Sequence, residues 1–333
     1  TAWLNYAVSG EGSAFLGGIS KNFGSNLVLG EGDRFVVEAD EFDRSFLQLN
    51  PDVAVVTSAD ADHLDIYGTH EAVKEAFSQF IDRIKAGGAL VIKQGVDVKV
   101  RNSQIECYRY SFNEPTDFYA TNLQLLATGH YTFDIVTPFG IVESCTLGIP
   151  GWVNVENAVA AVALFILAAK AEGKQVDYDA LRAALASFSG VKRRFEFYVN
   201  TPKAVYMDDY AHHPTEIRAT LTAAANYPHK RLVLVFQPHT YTRTKAFFHE
   251  FAEALSMADH VILADIYAAR ETDTLGMSSE ALAEELKKLG ADAYYLPSFE
   301  AIENFVLKKV IHGDLLITMG AGDVVNIGNS LLK

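Results

Sequence analysis

Two acidic patches stand out between Phe35 and Tyr67. The first holds Glu38, Asp40, Glu41 and Asp43, and the second holds Asp60, Asp62, His63 and Asp65. Each follows a short apolar run, Phe35-Val36-Val37 or Val53-Ala54-Val55-Val56, that reads as a buried strand. In an open α/β sheet, ligands collect beyond the carboxyl ends of the strands. If the two runs are neighbouring parallel strands, both patches face one crevice and repel each other unless a cation lies between them. Carboxylates and water suit Mg2+, and an imidazole can join them. The same residues also fit plain solvated strand ends.

Three further polar clusters follow apolar runs in the second half. They are Asp208-Asp209-Tyr210-Ala211-His212-His213-Pro214, then Gln237-Pro238-His239 continuing through Arg243 to Lys245, and Gly320-Ala321-Gly322-Asp323. A histidine pair before proline is also turn chemistry, and Gly-Ala-Gly-Asp also suits an ordinary helix start. Their coincidence at three strand ends points to a binding crevice built of carboxylates, imidazoles, a guanidinium and a glycine turn. Lys192-Arg193-Arg194 places three cations in a row. As a hinge they would only be solvated. At a domain junction, arginine suits an oxyanion, because its planar fork binds phosphate through two bonds.

The elements that must position these residues alternate along the chain. His70 to Lys85 has helical spacing of Val73, Phe77, Phe80, Ile81 and Ile84, and Ala89 to Ile92 reads as a strand. Residues 8 to 34, rich in glycine, read as loops and weak strands. Residues 98 to 146 alternate between turn signals, which predicts a small antiparallel sheet attached to a parallel one. A long apolar helix is expected from about Val153 to Ala171, and another from Asp177 to Ser187. A domain boundary falls near Val191. Beyond it, strands at 205–207, 232–236, 261–264, 294–296 and 315–317 alternate with helices, one following the polar run of residues 237–245 and ending at about Met257. That pattern predicts a doubly wound parallel sheet.

Composition narrows the function classes. The chain has 333 residues, 49% of them apolar, enough for two domains with large cores. Its net charge of −14 disfavours nucleic acid, whose phosphates are held by Lys and Arg. Cys107 and Cys145 form no CxxC pair, which implies neither a disulfide framework nor a zinc cluster. The longest strongly apolar run, Ala158 to Ala169, is short for a bilayer, and no secretory pattern opens the sequence. The expected setting is the cytoplasm, with no membrane partner.

In this order, EADEFDRSFLQLNP with DADHLDIY, GWVNVENAVAA, VKRRFEF, DDYAHHPTE, FQPHTYTRT and GAGD resemble the Mur ligase family over most of residues 35 to 325. DDYAHHPTE and FQPHTYTRT are the most specific of these. The resemblance implies three domains: one for a UDP-sugar, a central P-loop ATPase, and a C-terminal Rossmann-like domain for the incoming amino acid. The expected fold is therefore α/β. Residues 1–191 would form a truncated P-loop-type ATPase domain, with a mostly parallel sheet plus a small antiparallel one. Residues 192–333 would form the doubly wound, Rossmann-like domain. GxxxxGK[ST] is not found, and the one Gly-Lys pair, Gly173-Lys174, is followed by Gln175. Thr1 onward resembles the helix that follows the P-loop. The UDP-binding domain and P-loop are thus expected to lie outside these residues, which alone would be inactive.

The activity implied is ATP-dependent joining of L-alanine to the carboxylate of UDP-N-acetylmuramate, in peptidoglycan precursor synthesis. The carboxylate attacks the γ-phosphate of ATP, and the amino group then attacks the acyl phosphate. Mg2+ neutralises the meeting anions. By the same resemblance Glu41 and His63 match magnesium ligands, and Asn154 and Asn157 match residues near the adenine. Arg194 and Asp209 match residues that reach the nucleotide when the domains close. His212 and Arg243 match positions around the amino acid, with Arg243 on its carboxylate and His212 orienting it or taking an ammonium proton. Some members carry arginine where Thr240 stands, and often histidine where Val153 stands. Three other readings remain: a muropeptide ligase of cell-wall recycling, a folylpolyglutamate-type ligase, which DDYAHHPTE fits poorly, and a non-catalytic module that binds nucleotide or amino acid.

Overall fold

Apolar runs alternate with amphipathic stretches, and the runs at 89–92, 232–236 and 315–319 become strands covered on both faces. The structure, a computed structural model, describes residues 1–61, 64–126, 128–201 and 203–332. It divides into two compact units, Thr1–Gly190 and Val191–Lys333.

The first unit has two sheets. Strands β1 (Ser13–Ser20), β2 (Ser25–Val28) and β3 (Phe35–Val37) form the smaller, in the order β2-β1-β3. The larger holds β4 (Val53–Val56), β5 (Ala89–Lys93), β6 (Glu106–Ser111), β7 (Phe118–Leu125), β8 (Tyr131–Thr137) and β9 (Gly140–Thr146) in sequence order. β4 to β7 run parallel, and β7 to β9 continue the sheet as an antiparallel meander. The expected antiparallel portion is thus an extension of the parallel sheet.

β3 and β4 are not neighbours, contrary to the arrangement that would have joined their acidic ends directly. β3 pairs in parallel with β1, setting Ser13 opposite Phe35 and Phe15 opposite Val37, while β4 pairs with β5. The reason lies in β1, whose glycine-rich stretch reads weakly as sequence yet forms a full strand.

Burial on β5 shows why its run is continuously apolar. Ala89 and Val91 pack under the Trp152–Ala171 helix, whereas Leu90 and Ile92 pack against Val73, Phe80 and Ile81 of the His70–Asp82 helix. A strand buried on both faces has no polar side to show. The Trp152–Ala171 helix is long and apolar enough to cross a membrane, but most of it is buried in this core.

In the second unit the strands are β10 (Glu196–Asn200), β11 (Val205–Asp209), β12 (Leu232–Phe236), β13 (His260–Leu263), β14 (Asp292–Tyr295) and β15 (Leu315–Met319). Their order is β10-β11-β15-β12-β13-β14, all parallel except the edge strand β10. Leu232, Leu234 and Phe236 face one core with Ile217, Phe251 and Leu255. Val233 and Val235 face the other, with Ile302, Val306 and Ile327. The doubly wound sheet matches the expectation, and the helix expected after residues 237–245 and running to about Met257 is Phe248–Leu255. A short helix not read from the sequence, Tyr241–Ala246, precedes it, and the two part at Phe247 (φ −118, ψ 31), whose ring packs on His213 at 4.7 Å.

Candidate active site

Because β15 runs between β11 and β12, the three polar clusters of the second unit follow adjacent strand ends. Asp209 pairs with Met319, and Met319 with Phe236. Short bonds join the loops beyond. Gly320 N donates to Asp209 O at 3.0 Å, Gln237 Nε2 donates to Asp323 Oδ1 at 2.8 Å, and Val324 N donates to Gln237 Oε1 at 3.0 Å. Gly322 is required by this approach, since a Cβ there would lie 2.3 Å from Gln237 Oε1. A cavity of about 400 Å3 borders the cluster at Gln237, Tyr267 and Asp323.

The histidine pair divides its work. His213 caps the Pro214–Ala225 helix: its Nδ1 accepts from Thr215 N, and Glu216 accepts from the His213 N–H, giving a capping box. His212 turns the other way, its ring 5.7 Å from that of His239. His212 Nδ1 lies 3.0 Å from Tyr210 O, so it donates there, with Glu216 3.5 Å away. His239 stacks on Tyr267 at 5.5 Å, and Arg243 Nη1 approaches both His239 Nδ1 and its carbonyl at 3.5 Å. His212 and Arg243, assigned by resemblance, therefore meet through His239, which received no role from sequence although it lies within FQPHTYTRT.

Burial, with the nearby His212 and Arg243, pushes the His239 imidazole down to about 4, against a smaller opposing pull from Glu271. A corner holding one guanidinium and two imidazoles suits a small carboxylate.

The two arginines of the linker have different fates. Arg193 lies inside the unit. Its Nε contacts Asp208 at 3.1 Å, Nη2 donates to Gly320 O at 2.7 Å, and the guanidinium lies over Tyr210. Asp208 is fully buried and also accepts from Thr318 Oγ1 at 2.7 Å. Arg193 thus holds the glycine loop to β11 rather than facing a ligand. Arg194 is more exposed, its side chain 58% accessible and 3.8 Å from Glu216. Asp209 accepts from Phe195 N at 2.7 Å and Ala211 N at 2.8 Å. Burial nevertheless raises its carboxyl to about 6.

In the first unit, Glu41 opens a tight turn in which Asp43 and Arg44 have positive φ. Tyr67 donates its hydroxyl to Glu41 O at 2.6 Å, and Arg44 lies over the Tyr67 ring at 5.3 Å. Burial and the Glu41, Asp40 and Asp43 carboxylates push the Tyr67 phenol up. The segment after β4 therefore does reach the acidic loop after β3, through a helix rather than through paired strands. His63 and Asp62 lie outside the described residues. Among the described residues no group of three His, Cys, Asp or Glu side chains could hold a metal ion. Asn154 is half-buried and donates to Pro150 O at 2.6 Å, whereas Asn157 is exposed near the start of the same helix.

Comparison with known proteins identifies the architecture. Residues 22–165 match the Mur ligase middle domain, and residues 193–322 match the domain described as "Mur ligase, glutamate ligase domain". The UDP-N-acetylmuramate–L-alanine ligase of Lachnospira eligens is 41% identical over 331 residues, 98% of this chain and 71% of that protein. This chain belongs to the Mur ligase family. Among solved structures, the UDP-N-acetylmuramate–alanine ligase of Thermotoga maritima superposes with TM-score 0.80 at 25% identity, covering 99% of this Mur ligase and 70% of that chain. A murein peptide ligase from Psychrobacter arcticus superposes at 0.64 and 22% identity, with 99% and 73% covered, which shows a shared fold.

Two measurements probe this geometry. Arg193→Ala in this Mur ligase strands the buried Asp208 carboxylate and should cost about 3 kcal/mol of stability, read from urea unfolding. An unchanged midpoint would show that the pair does not hold the loop. The second concerns acid. The native state keeps His239 neutral to about pH 4, whereas the unfolded chain protonates it near 6.5. Unfolding then takes up a proton between those values, so the His239 contribution is full above pH 6.5 and is lost as pH falls toward 4. His239→Gln should lose less stability than the wild type on acidification from pH 7 to 4.5. Parallel losses would contradict the assignment.

Proposed function

We propose that this chain is the catalytic part of an ATP-dependent ligase that joins L-alanine to the carboxylate of UDP-N-acetylmuramate in the cytoplasm. The observation that carries the reading is the meeting of Arg243, His239 and His212 beyond β11 and β12, in a chain whose relatives are named for that reaction. A guanidinium holds a carboxylate by charge-assisted hydrogen bonds, and L-alanine presents one. On this reading Arg243 binds that carboxylate. His212 orients the amino group through Nε2 and is the base that takes its proton.

Residues 192–333 then form the amino-acid unit, and residues 1–191 the nucleotide unit. On this reading Asn154 and Asn157 are the residues near the adenine, and Asn154 also donates to Pro150 O. Arg194 steadies phosphate charge. Asp209, whose oxygens receive the Phe195 and Ala211 amides, sets the backbone that carries Arg194.

Magnesium takes one or two protein carboxylates and completes its shell with water and phosphate oxygens. Glu41 with His63 therefore fits its chemistry without a protein cage. When bound, the ion would neutralise the anions that meet as the acyl phosphate forms.

The test is phosphate release by the natural protein with ATP, Mg2+ and UDP-N-acetylmuramate, adding L-alanine or the recycled tripeptide in turn. Stimulation by L-alanine alone is expected. Stimulation by the tripeptide alone would move the reading to cell-wall recycling. No stimulation by either would leave a binding module in place of a ligase.

A further inference from the structure

The helix that carries Arg243 is only Tyr241–Ala246, and it begins without help from its own sequence. Thr240 occupies the N-cap, yet its side chain makes no capping bond. The first backbone N–H groups of a helix need partners from elsewhere. Here the partner is Glu271, from the loop after β13. Glu271 accepts from Thr242 N at 3.1 and 3.3 Å, one distance to each carboxylate oxygen, and from Thr240 Oγ1 at 2.7 Å.

The loop bearing Glu271 is fastened at its other end too. Tyr267 N donates to Pro238 O at 2.9 Å, and the Tyr267 ring stacks on His239. The segment from Tyr267 to Glu271 thus runs beside Pro238–Thr242 and grips it at both ends. Farther along, Thr244 donates to Thr240 O from its amide at 2.9 Å and from its hydroxyl at 2.6 Å. The start of the helix is held on both sides, and Arg243 lies between the two attachments.

We propose that Glu271 is a positioning residue for amino-acid recognition: its carboxylate clamps the first turn of the Tyr241–Ala246 helix and so sets where Arg243 presents its guanidinium. This rests on the reading that Arg243 receives the amino acid's carboxylate. A guanidinium–carboxylate pair is directional, and a displacement of about 1 Å in such a site is costly. Glu271 is suited to a constant clamp. Burial raises its carboxyl, but the bonds from Thr242 and Thr240 outweigh that and hold it below its ordinary range, ionised through neutral pH. An anion at a helix N-terminus is also favourable.

The clamp has a signature that separates it from simple charge. As a bare negative charge near Arg243, Glu271 would repel the substrate carboxylate, and removing it would lower the KM for L-alanine. As a clamp, its removal raises that KM. The experiment compares Glu271→Ala, Thr240→Val, Arg243→Ala and the double variant Glu271→Ala with Arg243→Ala, all in the natural ligase, by steady-state kinetics for L-alanine and ATP. Glu271→Ala should raise the KM for L-alanine about tenfold, with kcat and the KM for ATP within about threefold, and Thr240→Val should do the same more weakly. In the Arg243→Ala background, Glu271→Ala should add nothing.

A KM for L-alanine that falls or stays level in Glu271→Ala, while Arg243→Ala raises it, would overturn the clamp alone. So would a full additive rise in the double variant, or kcat and both KM values worsening together, which marks general destabilisation. An Arg243→Ala enzyme with the wild-type KM for L-alanine would overturn the amino-acid reading of the site, and the clamp with it.

Discussion

The last strand of the chain, Leu315–Met319, runs between β11 and β12, and that insertion decides which loops of the second unit meet. Three clusters far apart in sequence become neighbours at the carboxyl edge of one sheet, where parallel strands leave a crevice. The crevice is then closed up by polar bonds. Gln237 uses both amide atoms on the segment after β15, and Arg193 spans from Asp208 to Gly320. Glycine at 322 permits the approach, because any side chain there would collide with Gln237.

Within that frame the charged residues separate into holders and presenters. Arg193, Asp208, Asp209, His213 and Glu271 are engaged in fixing backbone or loops. Arg194, His212 and Arg243 stand on the backbone so fixed. The deepest of these charges, Asp208 and Asp209, are paired and hydrogen-bonded, as a buried ionised group must be. Adjacent residues of the same type, Arg193 with Arg194 and His212 with His213, take opposite parts because neighbouring positions point to different sides.

Much of the fold was legible because apolar runs and their spacing report burial directly. Leu232–Phe236 and the helices around it follow from local pattern. The polar strand ends were legible for the same reason, as polar residues abruptly following a buried run. Sheet order was not legible. Nothing in Leu315–Met319 states that it pairs with β11 and β12, and nothing in Phe35–Val37 states that it prefers the glycine-rich β1 to β4. Glu271 lies in a loop without any motif, and its role depends on a partner thirty-one positions away. The opposite fates of Arg193 and Arg194 depend on backbone turns, with positive φ at Arg193 and Phe195, that side-chain type does not encode.

The central claim is that one small carboxylate is received where Arg243, His239 and His212 meet. A crystal structure of the natural protein with L-alanine bound tests it most directly. The account predicts the alanine carboxylate within hydrogen-bonding distance of the Arg243 guanidinium, and its amino group on the His212 side. Alanine ordered elsewhere in the unit, with Arg243 still held against His239, would contradict it.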